Sequence, residues 1–250
     1  MTSPIADFEA LIARLFPALP ERCAGATPDA IARIERIAGR PLPAFYRWFL
    51  TRMGASMGPM GYATIDFSAA RVLGCYDSGL VAPDPRHLLI GYETDESDPR
   101  HRFYDLDAPM RDDARVVERE LEDTSASVKW ETLREMLAWS AYLHHGLRTM
   151  PQRCDGSLSA ARADLFDGLD AVMTKLGFEQ PIATGGFCRL YARADAAMTL
   201  YGVPREDTAR WRSFELSGPD TATLRSVLGA IAMSAQVEVA VRAWSPPLAE

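Results

Sequence analysis

The sequence predicts an α+β fold arranged as two domains, and three observations carry that expectation. Apolar residues recur at helical spacing up to about residue 53, and the strand-like alternation expected of a sheet replaces that spacing between Ala63 and Glu120. A long amphipathic stretch from Trp130 to Leu147 restores the helical period. The polar segment Met150–Ser157, with a proline and a glycine, then reads as a linker before a second series of helices and strands. The expected domains are residues 1–150 and 158–250. In the other organisation open at this stage, the later strands extend the first sheet into one larger domain.

The N-terminal third is helical. Ile5, Phe8, Leu11, Ile12 and Leu15 fall on one face of a helix that Pro17 and Pro20 end. Thr27 caps a second helix, with Pro28 at its first position and Asp29 near the positive end of the helix dipole. Ile31, Ile34 and Ile37 line its buried face, and Gly39 closes it. A third helix runs from Pro43 to Gly54, burying Phe45, Trp48, Phe49 and Met53, with Tyr46 and Arg47 turned toward its other face.

Strands are expected at 63–67, 87–92, 102–107 and 114–120, the second and third forming a hairpin across an Asp98-Pro99 turn, before a helix from Trp130 to about Arg148. Beyond the linker the pattern predicts a helix over 160–176, strands at 187–192, 198–203 and 211–216, a helix from Pro219 to about Ala235 and a last strand over 236–244. That order, α-β-β-β-α-β, suits a small α+β domain.

Composition narrows the function classes. The formal charge of −7 disfavours nucleic acid as a partner and suits a basic protein. The charge is concentrated: Glu93 to Asp123 holds twelve acidic and five basic residues, which accounts for the whole net charge. Cys23, Cys75, Cys154 and Cys188 are widely spaced with no C-x-x-C pair, so neither disulfides nor a zinc site are expected, and a reducing cytoplasm fits. The first residues lack the basic start and apolar run of a secretory signal, and no stretch approaches the ~20 apolar residues of a membrane helix.

No catalytic motif stands out. Gly54, Gly58 and Gly61 follow a helix and lack Gly-Lys-Ser/Thr, the wrong context for a phosphate cradle, and read as a flexible connection or an adaptable rim. His144 and His145 point about 100° apart on a helix and cannot clamp one metal. His101 in the acidic turn is either a surface histidine or half of a pH-sensitive pair with Asp98. Asp105 and Asp107 do not begin a calcium loop, because Pro109 and Met110 stand where a ligand and a glycine are required. Arg189, Arg193, Arg210 and Arg212 suggest a basic strand surface, but residues 151–250 hold twelve acids against ten bases. No cofactor and no metal are expected.

The segment Ile34-Glu35-Arg36-Ile37-Ala38-Gly39-Arg40-Pro41-Leu42-Pro43-Ala44-Phe45-Tyr46-Arg47-Trp48-Phe49-Leu50 resembles the signature of the SUKH superfamily, the SMI1/KNR4-like proteins. Helix, glycine, L-P-x-x-[FY] and an aromatic helix follow in the family's order. Leu88-Leu89-Ile90-Gly91-Tyr92 and Phe103-Tyr104-Asp105-Leu106-Asp107 resemble its two central strands. Met53-Gly54 stands where the family has an Asn-Gly loop, and the likeness covers about residues 1–150. The resemblance implies an SMI1/KNR4-like mixed α/β domain, an antiparallel sheet flanked by helices, used as a binding module. In bacteria such proteins are mostly cytoplasmic immunity proteins that neutralise the cognate toxin of a polymorphic toxin system by direct protein–protein occlusion. In fungi related proteins are regulatory scaffolds that bind an endogenous partner, and both readings stay open.

For either, the candidate partner-binding residues are Glu93, Asp95, Glu96 and Asp98 in the hairpin connection and Asp105, Asp107, Asp112 and Asp113 beyond it. They dock and steer a basic protein surface in one reading and form a solvated hairpin tip in the other.

Overall fold

The computed structural model describes residues 3–121, 125–160, 165–203, 211–234 and 237–247. The chain is mixed α+β and divides into two compact units, Met1–Leu137 and Ala138–Glu250, each with its own antiparallel five-stranded sheet.

The first unit opens with α1 (Pro4–Leu15), α2 (Pro28–Ala38) and α3 (Ala44–Met53). Their ends are those the sequence chemistry requires. Ser3 Oγ accepts from Ala6 N–H, Thr27 Oγ1 accepts from Ala30 N–H at 3.2 Å, and Gly39 takes φ = +65° just beyond α2. On α3, Phe45 and Trp48 meet Phe8 of α1 edge-on at 5.3 and 5.5 Å between ring centroids. Tyr46, expected on the outer face, is fully buried, crossing Tyr104 at 5.2 Å and stacking beside Phe49. The helix is covered on two sides, so its apolar stripe is wider than a single seam. Trp48 is the half-buried member, its indole N–H donating to Glu9 Oε1 at 2.9 Å.

The sheet follows as a meander: β1 (Ile65–Asp66), β2 (His87–Glu93), β3 (His101–Met110), β4 (Asp113–Arg119) and β5 (Ser127–Trp130), each paired antiparallel with the next. The 87–93 and 101–110 hairpin is where the alternation places it. Four elements, β1, α4, β5 and the start of α5, differ from the sequence reading. The first strand has two residues rather than five. Helix α4 (Ala69–Asp77) occupies a stretch assigned no element, capped by Ser68 Oγ on Arg71 N–H and burying Val72, Leu73 and Cys75. Trp130 ends β5 instead of opening a helix; α5 starts at Leu133, where Thr132 Oγ1 accepts from Glu135 N–H at 3.1 Å. Helices α2 and α4 contact β2, and α3 contacts β4.

The division between units falls inside α5 (Leu133–His145). The second unit runs β6 (Gln152–Ala160), α6 (Leu165–Lys175), β7 (Cys188–Ala192), β8 (Ala197–Tyr201), β9 (Trp211–Gly218), α7 (Thr221–Ser234) and β10 (Val237–Ser245). Sheet order is β10-β6-β9-β8-β7. The segment expected as a linker is therefore a strand between two others. Its polar residues mislead because only alternate positions, Cys154 and Leu158, enter the core with Leu169, Phe214, Leu216, Leu224 and Ile231. Residues 161–164, part of the expected 160–176 helix, lie outside the described residues.

Gly156 of β6 leaves no room for a side chain: a Cβ there would lie 2.0 Å from the Ala240 carbonyl oxygen of β10 and 3.0 Å from the Phe214 ring. Gly156→Ala is expected to destabilise the protein by about 1–3 kcal/mol, the range for forced overpacking, read as a lower urea midpoint. An unchanged midpoint would contradict the β6–β10 pairing.

Candidate protein-binding site

The eight acidic candidates fall into two groups at opposite ends of β3. His101 and Asp107 are six residues apart along the strand, roughly 20 Å at ~3.3 Å per residue. Only the group in the β2–β3 connection is a cluster of exposed carboxylates.

That connection is a tight, self-bonded turn. Asp95 Oδ1 accepts from the Ser97 amide at 2.9 Å and from its hydroxyl at 2.6 Å, and these two bonds hold the carboxyl below the usual aspartate range. Asp98 Oδ1 receives Arg100 Nε–H at 2.7 Å. Glu96 is exposed between them and makes no ion pair among the described residues. Glu93 is 9% exposed, and its Oε1 accepts from the Asp95 amide at 3.1 Å, so it braces the turn from beneath.

His101 lies under the same turn and is 2% exposed, neither a surface residue nor a partner of Asp98. Its Nδ1 accepts from the Glu93 amide at 3.0 Å, and its ring packs 4.5 Å from Tyr92. Burial holds its pKa below the ordinary histidine value, opposed by the nearby Glu93 charge, so the ring serves as a neutral acceptor.

The second group belongs to the fold. Asp105 is buried and receives a two-pronged contact from Arg86, Nε at 3.1 Å and Nη2 at 2.9 Å, which lowers its pKa. Asp107 is exposed and bonded to Arg40 Nη1 at 3.1 Å. Asp112 is exposed, while its carbonyl accepts from Phe45 N–H at 2.9 Å and ties the β3–β4 turn to α3. Asp113 is enclosed: its carboxylate accepts from the Tyr104 hydroxyl at 2.6 Å, from the Ala114 amide at 2.9 Å and from the Arg134 amide at 2.9 Å. Asp105 and Asp113 are thus removed from any docking surface by burial.

The exposed turn has a neighbour that sequence spacing did not reveal. Thr94, the first residue after β2, donates its amide to Thr64 O at 2.7 Å and its hydroxyl to the same oxygen at 2.8 Å. These bonds join the acidic turn to the glycine-containing loop after α3. A cleft of about 260 Å³ opens beside them, lined by Ser56, Gly58, Tyr62, Thr64, Asp66 and Thr94 among others. The floor is apolar, with Met57, Ile65 and Phe67 nearly buried.

Among the described residues, Arg189, Arg193 and Arg212 do not form the expected basic strand surface. Arg189 lies over the Phe166 ring at 4.3 Å and pairs with Asp170, and Arg193 lies over Phe178 at 4.7 Å and pairs with Asp195. Arg212 is buried and also lies over the Phe166 ring, at 5.2 Å. Arg210 is outside the described residues. Among the described residues no three His, Cys, Asp or Glu side chains gather as a metal site, and no helix is long and apolar enough to cross a membrane.

No family model matches the chain, and a search of curated proteins returns no match.

Burial raises the Asp113 carboxyl to about 6 against an exposed aspartate's 3.8, with desolvation outweighing its three hydrogen bonds. The folded state therefore binds more protons than the unfolded chain between those two values. This group makes unfolding harder as pH falls from 7 toward 4, by an amount of about 2 kcal/mol. Asp113→Asn is expected to flatten that part of the stability–pH curve, measured by urea denaturation at pH 7, 6, 5 and 4. A parallel, merely lowered curve would refute the assignment.

Proposed function

We propose that this chain is a non-enzymatic immunity protein of the SUKH type, acting in the cytoplasm, that binds a cognate bacterial toxin and neutralises it by covering its active site. The observation that carries this reading is the joined surface of the first unit: the exposed Asp95-Glu96-Ser97-Asp98 turn, bonded through Thr94 and Thr64 to the loop after α3. It offers negative charge beside a shallow cleft with an apolar floor, which suits a basic protein surface with a protruding side chain. The helical signature around Leu42, Phe45 and Phe49 supports the family likeness by serving as the packed layer behind this surface rather than as a site.

Occlusion requires no chemistry from the chain. A standard interface of about 1,600 Å² in total is large enough to seal a toxin's active site. Exposed carboxylates contribute mainly to the encounter rate, while the cleft loop contributes contact area. Within this reading Asp95, Glu96 and Asp98 form the docking group, Glu93 supports it, and Asp107 and Asp112 lie on a separate exposed end.

The test uses the toxin encoded beside this gene, as a catalytically inactive variant. The 250-residue chain should bind it in solution and protect cells expressing the active toxin. The triple variant Asp95→Asn, Glu96→Gln, Asp98→Asn is expected to slow association about tenfold at low salt and to weaken its salt dependence, measured by stopped-flow or surface plasmon resonance. Absence of both binding and protection overturns the reading and leaves the scaffold function, with an endogenous partner. Binding with an unchanged association rate removes only the acidic turn from it.

A further inference from the structure

Among the described residues, three of the four sheet edges are short or covered. In the first unit β1 has two residues and β5 has four. In the second, β7 is flanked by the Glu179–Ala192 bridge, whose amides and carbonyls bond in both directions at 2.8 Å. The fourth edge is β10, nine residues of V-E-V-A-V-R-A-W-S paired on one side with β6. Most of it is exposed, including Val241 at 37%. A long β-prone edge with unpaired main-chain groups is a template for another strand.

The charges on this edge specify which strand. Glu238 and Arg242 share the face of the sheet away from α6 and α7, because Glu238 bonds to Ser159 and Arg242 to Asp155, both on that face of β6. They stand four residues apart with Ala240 midway, Arg242 being the extra residue of the bulge between Val241 and Ala243. In an antiparallel pair of β10 strands related by a twofold axis at Ala240, Glu238 of each copy lies opposite Arg242 of the other. Val239, which packs against the core, lies opposite the exposed Val241. Arg242 is 74% exposed and bonds Asp155 through Nε and Nη2, leaving guanidinium N–H groups for a second carboxylate.

The flanking surface suits the same arrangement. Arg225 of α7 lies 5.8 Å over the Trp244 ring, which puts that side of the helix next to β10. Gly229, one turn on, faces open space, and Met233, 87% exposed, precedes the strand by four residues. Two copies joined at β10 would bring small and apolar helix surface together above the extended sheet.

We infer that the β10 edge is a self-association surface, through which two copies of this chain pair their sheets antiparallel with reciprocal Glu238–Arg242 contacts. The inference is independent of the toxin-binding reading, which concerns the first unit.

The 250-residue chain, 27.6 kDa by itself, should elute with twice that mass in chromatography with light scattering. E238R and R242E each juxtapose like charges and are expected to raise the dimer dissociation constant about tenfold or more, with circular dichroism and melting temperature checking that each stays folded. An equimolar mixture of the two variants restores opposite charges at both contacts and should recover the dimer as a heterodimer in native mass spectrometry. In the wild type, hydrogen exchange of the β10 amides should slow as protein concentration rises. A wild-type monomer with concentration-independent exchange overturns the inference, and means that the β-bulge at Val241–Ala243 and the two charges blunt the edge instead. A dimer that survives both single variants, or a mixture no tighter than its components, overturns it equally.

Discussion

The first unit depends on what the β3–β4 turn does with its polar groups. Asp112 gives its carbonyl to the Phe45 amide at the start of α3, and Asp113 gives its carboxylate to Tyr104 of β3, to its neighbour Ala114 and to the Arg134 amide at the start of α5. Two adjacent residues thus anchor a helix start on either side of a hairpin. Helix starts leave amides without intrahelical partners, and a buried start left unsatisfied is costly. Asp113 resolves that cost for α5 at the expense of burying a carboxyl, which is why its proton affinity rises despite three donors. Tyr104 in turn crosses Tyr46 of α3, so the carboxylate's orientation is passed to the aromatic layer.

This division of labour explains why an acidic stretch that looks continuous in the chain is not one surface. Period-two alternation sends successive β-strand side chains to opposite faces, and the hairpin carries its two ends apart. Asp105 and Asp113 became internal acceptors, paired with Arg86 and with backbone amides. Asp95, Glu96 and Asp98 stayed in a turn that bonds mostly to itself. Net charge counts both kinds equally, whereas only the second kind is felt at full strength by an approaching protein.

Legibility follows the same physics. The caps at Thr27 and Gly39 and the 87–93/101–110 hairpin were readable because their signals are local: a hydroxyl before a proline-led helix, a glycine after it, two apolar runs around Asp98-Pro99. Helix α4 is hidden because its Ser68 cap comes one residue after a strand of two residues, too short to register as a separate element. Strand β6 was hidden because its outward residues are serine, arginine and aspartate, and its Gly156 reads as a loop residue until Ala240 is seen against it. One helical stripe points Tyr46 outward, and a second packing surface reverses it. For the candidate site, composition located the turn, but the Thr94–Thr64 bonds that join it to the loop after α3 span thirty residues and leave no mark in the sequence.

The two surfaces differ in what they can recognise. The acidic turn is of one sign. A second copy of the same turn repels it, so its field favours a partner with the opposite charge and a different sequence. The β10 edge carries one acid and one base at equal distance from Ala240, and a twofold axis there turns each into the other's complement. A surface with that internal antisymmetry is satisfied by itself. Charge pattern, more than charge amount, therefore distinguishes a surface of one sign from one that is complementary to its own copy.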